Sequence, residues 1–222
     1  SGLKTIDDKT PTAAEEIWDG LDSVGGLVGS AGSSGVFNYI QTIEGVTLNA
    51  AVRKGSGTSN ADGASSGAGQ GAWDLALTAD GETIGAPGFL VGAGYGEAET
   101  GSTGSSASKD STVFATYAFG PANFGVQFSQ LESGLTSGVD EEAQAWGIAF
   151  NVNENLSFSY GEREVEFQKP SATHITEEME GVAIAYTMGS IKIAGNQNEG
   201  KNMAGVAGVK DSMTEIAVSF AF

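Results

Sequence analysis

Along most of the chain, large apolar side chains take every second position, and small or polar ones fill the positions between. In the C-terminal segment Ile216, Val218, Phe220 and Phe222 share one face, while Glu215, Ala217, Ser219 and Ala221 share the other. Trp146, Ile148, Phe150 and Val152 alternate in the same way with Ala145, Gly147, Ala149 and Asn151. Val182, Ile184, Tyr186 and Met188 alternate with Gly181, Ala183, Ala185 and Thr187, and shorter runs cover Val46–Val52, Trp73–Leu77 and Leu156–Tyr160. A period of two belongs to strands whose faces meet different surroundings. The pattern predicts eleven strands, near residues 36–43, 46–54, 72–79, 88–97, 111–119, 123–131, 142–152, 155–167, 178–188, 191–199 and 213–222. The N-terminal segment breaks this rhythm. There a Thr12/Glu15 capping box, Pro11 near the start and Gly20 as a stop predict one short helix at about 12–20.

The connections alternate as well. Tight turns at Glu44-Gly45, Gly120-Pro121-Ala122, Asn153-Glu154 and Gly189-Ser190, and a moderate one from Asp80 to Pro87, are separated by long polar segments at 55–71, 98–110, 132–141, 168–177 and 200–212. A soluble sandwich also alternates, but it has to interdigitate two inner faces and protect its edge strands. Long loops at one end of a sheet and short turns at the other are the mark of an outer-membrane barrel, with acyl chains against the bulky face and water against the small one. No stretch reaches the ~20 apolar residues of a membrane-spanning helix. The aromatics Tyr39, Trp73, Phe89, Tyr95, Tyr117, Phe119, Phe124, Trp146, Tyr160 and Tyr186 fall mostly near strand ends, as two interfacial girdles would.

Composition then narrows the chemistry. The 222 residues include 34 Gly, no Cys and one His, with 28 acids against 10 bases and a net charge of -18. Without cysteine there is neither a disulfide nor a thiolate metal site, and a single His174 leaves too few ligands for a His-based centre. That His falls in a long external loop, away from any serine it could activate. Gly92–Gly96 is glycine-rich but lies in a strand with no helix after it, so it does not cradle phosphate. The negative charge repels nucleic-acid backbones. The expectation is a protein that is not an enzyme, has no required cofactor and has no nucleic-acid partner.

With these features the chain resembles the general porins of the Gram-negative outer membrane. The resemblance covers nearly the whole length and ends on Phe222, a terminal aromatic of the kind that family presents to its assembly machinery as a signal. It implies an all-β, antiparallel up-and-down transmembrane barrel of sixteen strands, of which this chain would hold about eleven. It also implies a homotrimer in contact with outer-membrane lipid and lipopolysaccharide. Residues 1–35 then correspond to an inward-folded loop that narrows the pore, and residues 36–222 to the barrel wall. Asp7, Asp8, Glu15, Glu16, Asp19 and Asp22 would bring acids to the constriction.

With the bulky face toward lipid, alternation places Asn49, Arg53, Asp74, Gln127, Arg163, Lys192, Asn196 and Glu215 on the pore wall. Acids facing Arg53, Arg163 and Lys192 across a constriction would set up a transverse field that orders water and orients dipolar solutes. The function implied is passive diffusion of ions and small hydrophilic solutes. The net charge favours cations, although a basic constriction would reverse that preference.

Acids also crowd the strand ends beside the long loops, most densely where Glu162, Glu164 and Glu166 meet Glu177, Glu178 and Glu180 across one hairpin. Next to an anionic leaflet such a rim is repulsive unless Ca²⁺ or Mg²⁺ bridges its carboxylates to lipid phosphates. Two alternatives stand beside the channel. One is an acidic secreted or surface β-domain for adhesion, with or without calcium. The other is a twelve-stranded autotransporter-like translocator plugged by the 12–20 helix.

Overall fold

In a computed structural model, residues 36–55, 71–100, 105–170 and 172–220 are described. The helix expected at 12–20 and the terminal Phe222 lie outside them. Eleven strands form one antiparallel sheet in unbroken chain order. They are β1 (Val36–Ile43), β2 (Val46–Arg53), β3 (Ala72–Asp80), β4 (Phe89–Ala98), β5 (Ser108–Phe119), β6 (Ala122–Glu132), β7 (Asp140–Asn151), β8 (Leu156–Gln168), β9 (Ile175–Met188), β10 (Ile191–Lys201) and β11 (Lys210–Phe220). The sheet is open, with β1 and β11 as its edges.

The two faces divide as the alternation requires, and in the inverted sense. The bulky face is the exposed one: Ile216, Val218 and Phe220 on β11 are 76%, 53% and 58% exposed, and Leu75, Leu77, Val113, Phe128, Val182 and Ile184 are exposed as well. The shielded face carries Ala51, Ala76, Ala183 and Ala185 together with Asn49, Asp74, Gln127, Ser159 and Asn198. Substantial contacts join only neighbouring strands, apart from one 3₁₀ turn, Met203–Gly205, that packs on β8 and β9. Among the described residues no second layer covers either face, which excludes the sandwich. On β9 the outward apolar run Val182–Met188 spans roughly 20 Å of strand, comparable with the ~25 Å apolar band of outer-membrane barrels.

Glu44 and Gly45 both take positive φ, 47° and 78°, the backbone that a two-residue hairpin needs. The β3–β4 turn docks onto this hairpin, because the Thr83 hydroxyl donates to the Glu44 carbonyl at 2.6 Å. The Thr83 amide donates to Asp80 at 2.9 Å and, outside the apolar band, holds that carboxyl below its ordinary range.

The largest departures from expectation fall at the long-loop ends. β5, β7, β9 and β11 begin at 108, 140, 175 and 210, and β10 runs to 201, each two or three residues beyond the apolar alternation. There the strands rise past the apolar band, the outward residues are polar, and hydrogen bonding continues without the bulky-outside alternation.

Candidate functional site

The inner face is a wall of small side chains interrupted by polar ones at defined levels. One rung runs Gly200, Met179, Arg163, Ala145, Gln127, Phe114 and Gly92 across β10 to β4. On the short-turn side of it, Gly181, Gly161, Gly147 and Gly125 form a buried row across four strands, beside the Arg163 and Gln127 positions. On the long-loop side lie Glu177, Val165, Ala143, Ser129, Thr112 and Gly94. Thr112 ties this region together: its hydroxyl donates to the Phe128 carbonyl at 3.1 Å, accepts from the Gln127 amide at 3.1 Å and lies 3.0 Å from the Ser129 hydroxyl.

The inner face holds every wall residue expected from the alternation, though at different depths. Asn49, Asp74 and Gln127 are buried, Arg53, Arg163 and Asn196 are half-buried, and Lys192 and Glu215 are exposed. Arg163 alone among the three bases sits in the middle of its strand, between the outward Glu162 and Glu164 of β8, at the long-loop edge of the apolar band. Arg53 ends β2 at the long-loop end, and Lys192 lies one residue into β10 from the Gly189-Ser190 turn. The three do not form one level. Asp7, Asp8, Glu15, Glu16, Asp19 and Asp22 lie outside the described residues.

The acidic hairpin divides between the faces, which corrects the grouping read from the sequence. Glu162, Glu164, Glu166, Glu178 and Glu180 point outward above the apolar band. Glu177 has the opposite parity and is fully buried on the inner face. Outside, Glu162 lies directly opposite Glu180, which lies opposite Glu199, while Glu164 faces Glu178. Aromatic donors meet this row, as Trp146 donates to Glu162 at 3.2 Å and Tyr160 to Glu180 at 3.2 Å, and on β4 Tyr95 donates to Glu97 at 2.7 Å in the same way. Among the described residues no three His, Cys, Asp or Glu side chains are grouped so as to hold a metal ion. His174 pairs with Glu166 at 2.8 Å, with no described serine among its hydrogen-bond partners.

Sequence reasoning missed the inward turn of residues 202–209. Met203 is 2% exposed, and with Met179 it forms a small apolar cluster on the inner face. An isolated methionine in a Gly/Asn-rich loop gave no periodic signal; only its apolar character hinted at a seat.

The pattern of the Gram-negative porin family matches residues 3–222. The chain belongs to that family. It is an integral outer-membrane β-barrel protein. No curated sequence matches it. Among solved structures it is similar to OmpT of Vibrio cholerae, at 15% identity and a TM-score of 0.62 over 83% of this chain and 64% of that one. It is likewise similar to the anion-selective porin of Comamonas acidovorans, at 13% identity and a TM-score of 0.64 over 84% of this chain and 59% of that one. In length, then, the chain spans less than two thirds of either relative. An in-vitro folded trimer form of the Vibrio protein also matches, with a TM-score of 0.59.

Proposed function

We propose that this porin chain forms part of the wall of a water-filled channel through which ions and small hydrophilic solutes diffuse passively. The observation that carries this reading is the inverted sheet, with bulky apolar side chains exposed outside and, inside, a shielded face of Ala, Ser, Asn, Gln and Asp with a few larger side chains such as Phe114 and Val165. A wall of that kind has work to do only around water. The wall needs further strands between β1 and β11 for closure, because unpaired edge amides in hydrocarbon cost several kcal/mol each. Sixteen strands in all suits the relatives' greater length. The trimer form of the Vibrio relative supports a homotrimer here.

Membership of the porin family supports a non-catalytic reading. We assign selectivity to the acids of residues 1–35, as partners across the lumen for Arg163 and for Arg53 nearer the long-loop mouth. The outward acidic row is the part that lipopolysaccharide phosphates would approach, with Ca²⁺ or Mg²⁺ between; lipid oxygens must then complete the ligand shell. The full-length protein in planar bilayers tests the channel. Stepwise, ohmic conductance is expected, and a folded, inserted protein that passes no current overturns it.

A further inference from the structure

We propose that the β10–β11 loop, residues 202–209, is a fixed narrowing element on the inner wall, and that Lys169 and Glu177 are the residues that position it. This rests on the channel reading and uses only described residues of the wall.

The loop is held at several separate points. The Glu177 carboxylate, fully buried on β9, accepts the Ala204 amide at 2.6 Å. The Lys169 ammonium, just past β8, donates to the Gly205 carbonyl at 2.8 Å. The Asn202 side-chain amide donates to the Thr176 carbonyl at 2.9 Å, and its oxygen accepts the Gly208 amide at 2.9 Å. Met203 is buried beside Met179, with Met213 packed against them, on the face that also carries Arg163.

Gly205 explains itself in the same way. Its φ is +66°, and a Cβ there would come within 2.6 Å of the inward-facing Phe167 ring, so the turn is seated on that ring. Asn202 and Ala204 also take left-handed backbone, at φ 54° and 55°. Such backbone at a non-glycine residue persists where surrounding contacts over-determine it. A loop that merely capped the strands in open water would bury no methionine and would need no carboxylate beneath it.

Met179 and Gly200 share the Arg163 rung, and Glu177 marks the next inner position toward the loops. The turn therefore covers the long-loop approach to Arg163, and a solute arriving from that end passes the turn before it meets the guanidinium.

The test uses the full-length protein in planar bilayers, with heat-modifiable gel mobility to confirm folding. A Lys169→Ala/Glu177→Ala variant, and one with residues 203–208 replaced by a shorter glycine link, should raise single-channel conductance by roughly 1.2- to 2-fold, because current follows the open aqueous cross-section. They should also admit larger sugars in liposome swelling. The chain has no cysteine, so a Met179→Cys/Met203→Cys pair gives an independent readout: oxidation should cross-link it and leave conductance at the wild-type level. Wild-type channels whose conductance and size cut-off are unchanged in the folded loop variants overturn the narrowing role. A folded cysteine pair that stays uncross-linked and fully maleimide-reactive overturns the seating itself. A wild-type protein without conductance overturns the channel reading instead.

Discussion

Trp146 and Glu162 stand directly opposite each other on β7 and β8, and the indole N–H donates to the carboxylate at 3.2 Å. The Tyr160 phenol donates to the same carboxylate, and its ring meets the indole edge-on at 5.6 Å. Two amphipathic rings thus end the apolar band with their polar tips on one acid, the arrangement expected where acyl chains give way to headgroups. Trp146→Phe keeps the ring and removes the donor, and should cost about 1 kcal/mol in urea unfolding from lipid. Trp146→Ala should cost more than Trp146→Phe; equal stabilities for the two variants would show that the indole does not anchor this level.

Ile184 and Asn196 test the facing of the sheet. Ile184 is an exposed side chain within the apolar band of β9, and Asn196 lies on β10 opposite Ala183, on the other face. Ile184→Arg puts a guanidinium into hydrocarbon and should cost roughly 2–4 kcal/mol in bilayer unfolding. Asn196→Arg meets water and should change stability by less than about 1 kcal/mol while altering conductance. The reverse ranking would mean that lipid touches the polar face.

Most of the wall was legible from sequence, for one physical reason. Where one face meets hydrocarbon, a slip of a single residue turns every side chain to the wrong solvent, so period-two alternation fixes the strand, its register parity and its facing together. That is why Arg163 and Gln127 share the small-residue face. Above the band the outward face turns acidic while β8 turns Val165 and Phe167 inward, so the rule that bulky positions face out no longer holds, and Glu177 was grouped with outward acids although its side chain points inward. Arg53, Arg163 and Lys192 share a face, but their levels come from loop lengths and register, which a one-dimensional pattern does not carry. The inward turn at Met203 depends on contacts across 26 residues or more, from Asn202 to Thr176 and from Gly205 to Lys169, and so had no local sign.

Arg163 carries the clearest selectivity prediction. It lies mid-strand on the inner face, where β8 leaves the apolar band, whereas Lys192 lies one residue into β10 from the short turn. Arg163→Ala removes a fixed positive charge where the walls focus its field. Reversal potential in a salt gradient should move toward cations, and by more than in Lys192→Ala. Equal shifts would place the narrow zone elsewhere.

Asp80 gives a pH dependence. Hydrogen bonds from Thr83, the backbone amide first, lower its pKa from the ordinary 3.8. Folding therefore favours the ionised form, and the contribution is fully present above that ordinary value and lost as pH falls through the lowered one. The group is fully exposed, so the effect is small and local. Asp80→Asn should lower the urea midpoint at pH 7, and the gap should close in strong acid. A gap that persists there would assign the effect to the turn's shape instead of its charge.

Glu180 separates simple like-charge repulsion from cation bridging in the outward acidic row. It lies between Glu162 and Glu199 on the neighbouring strands, and like charges directly opposite destabilise a sheet. In neutral detergent with a chelator, Glu180→Gln should therefore raise stability by a few tenths of a kcal/mol, the lost bond from Tyr160 offsetting part of the gain. In lipopolysaccharide with Mg²⁺ the same substitution removes a ligand oxygen that bridging would use, and the sign should reverse. If the variant is equally stabilised in both media, divalent cations do not act at this row, and its acids serve only as solvated charge above the lipid.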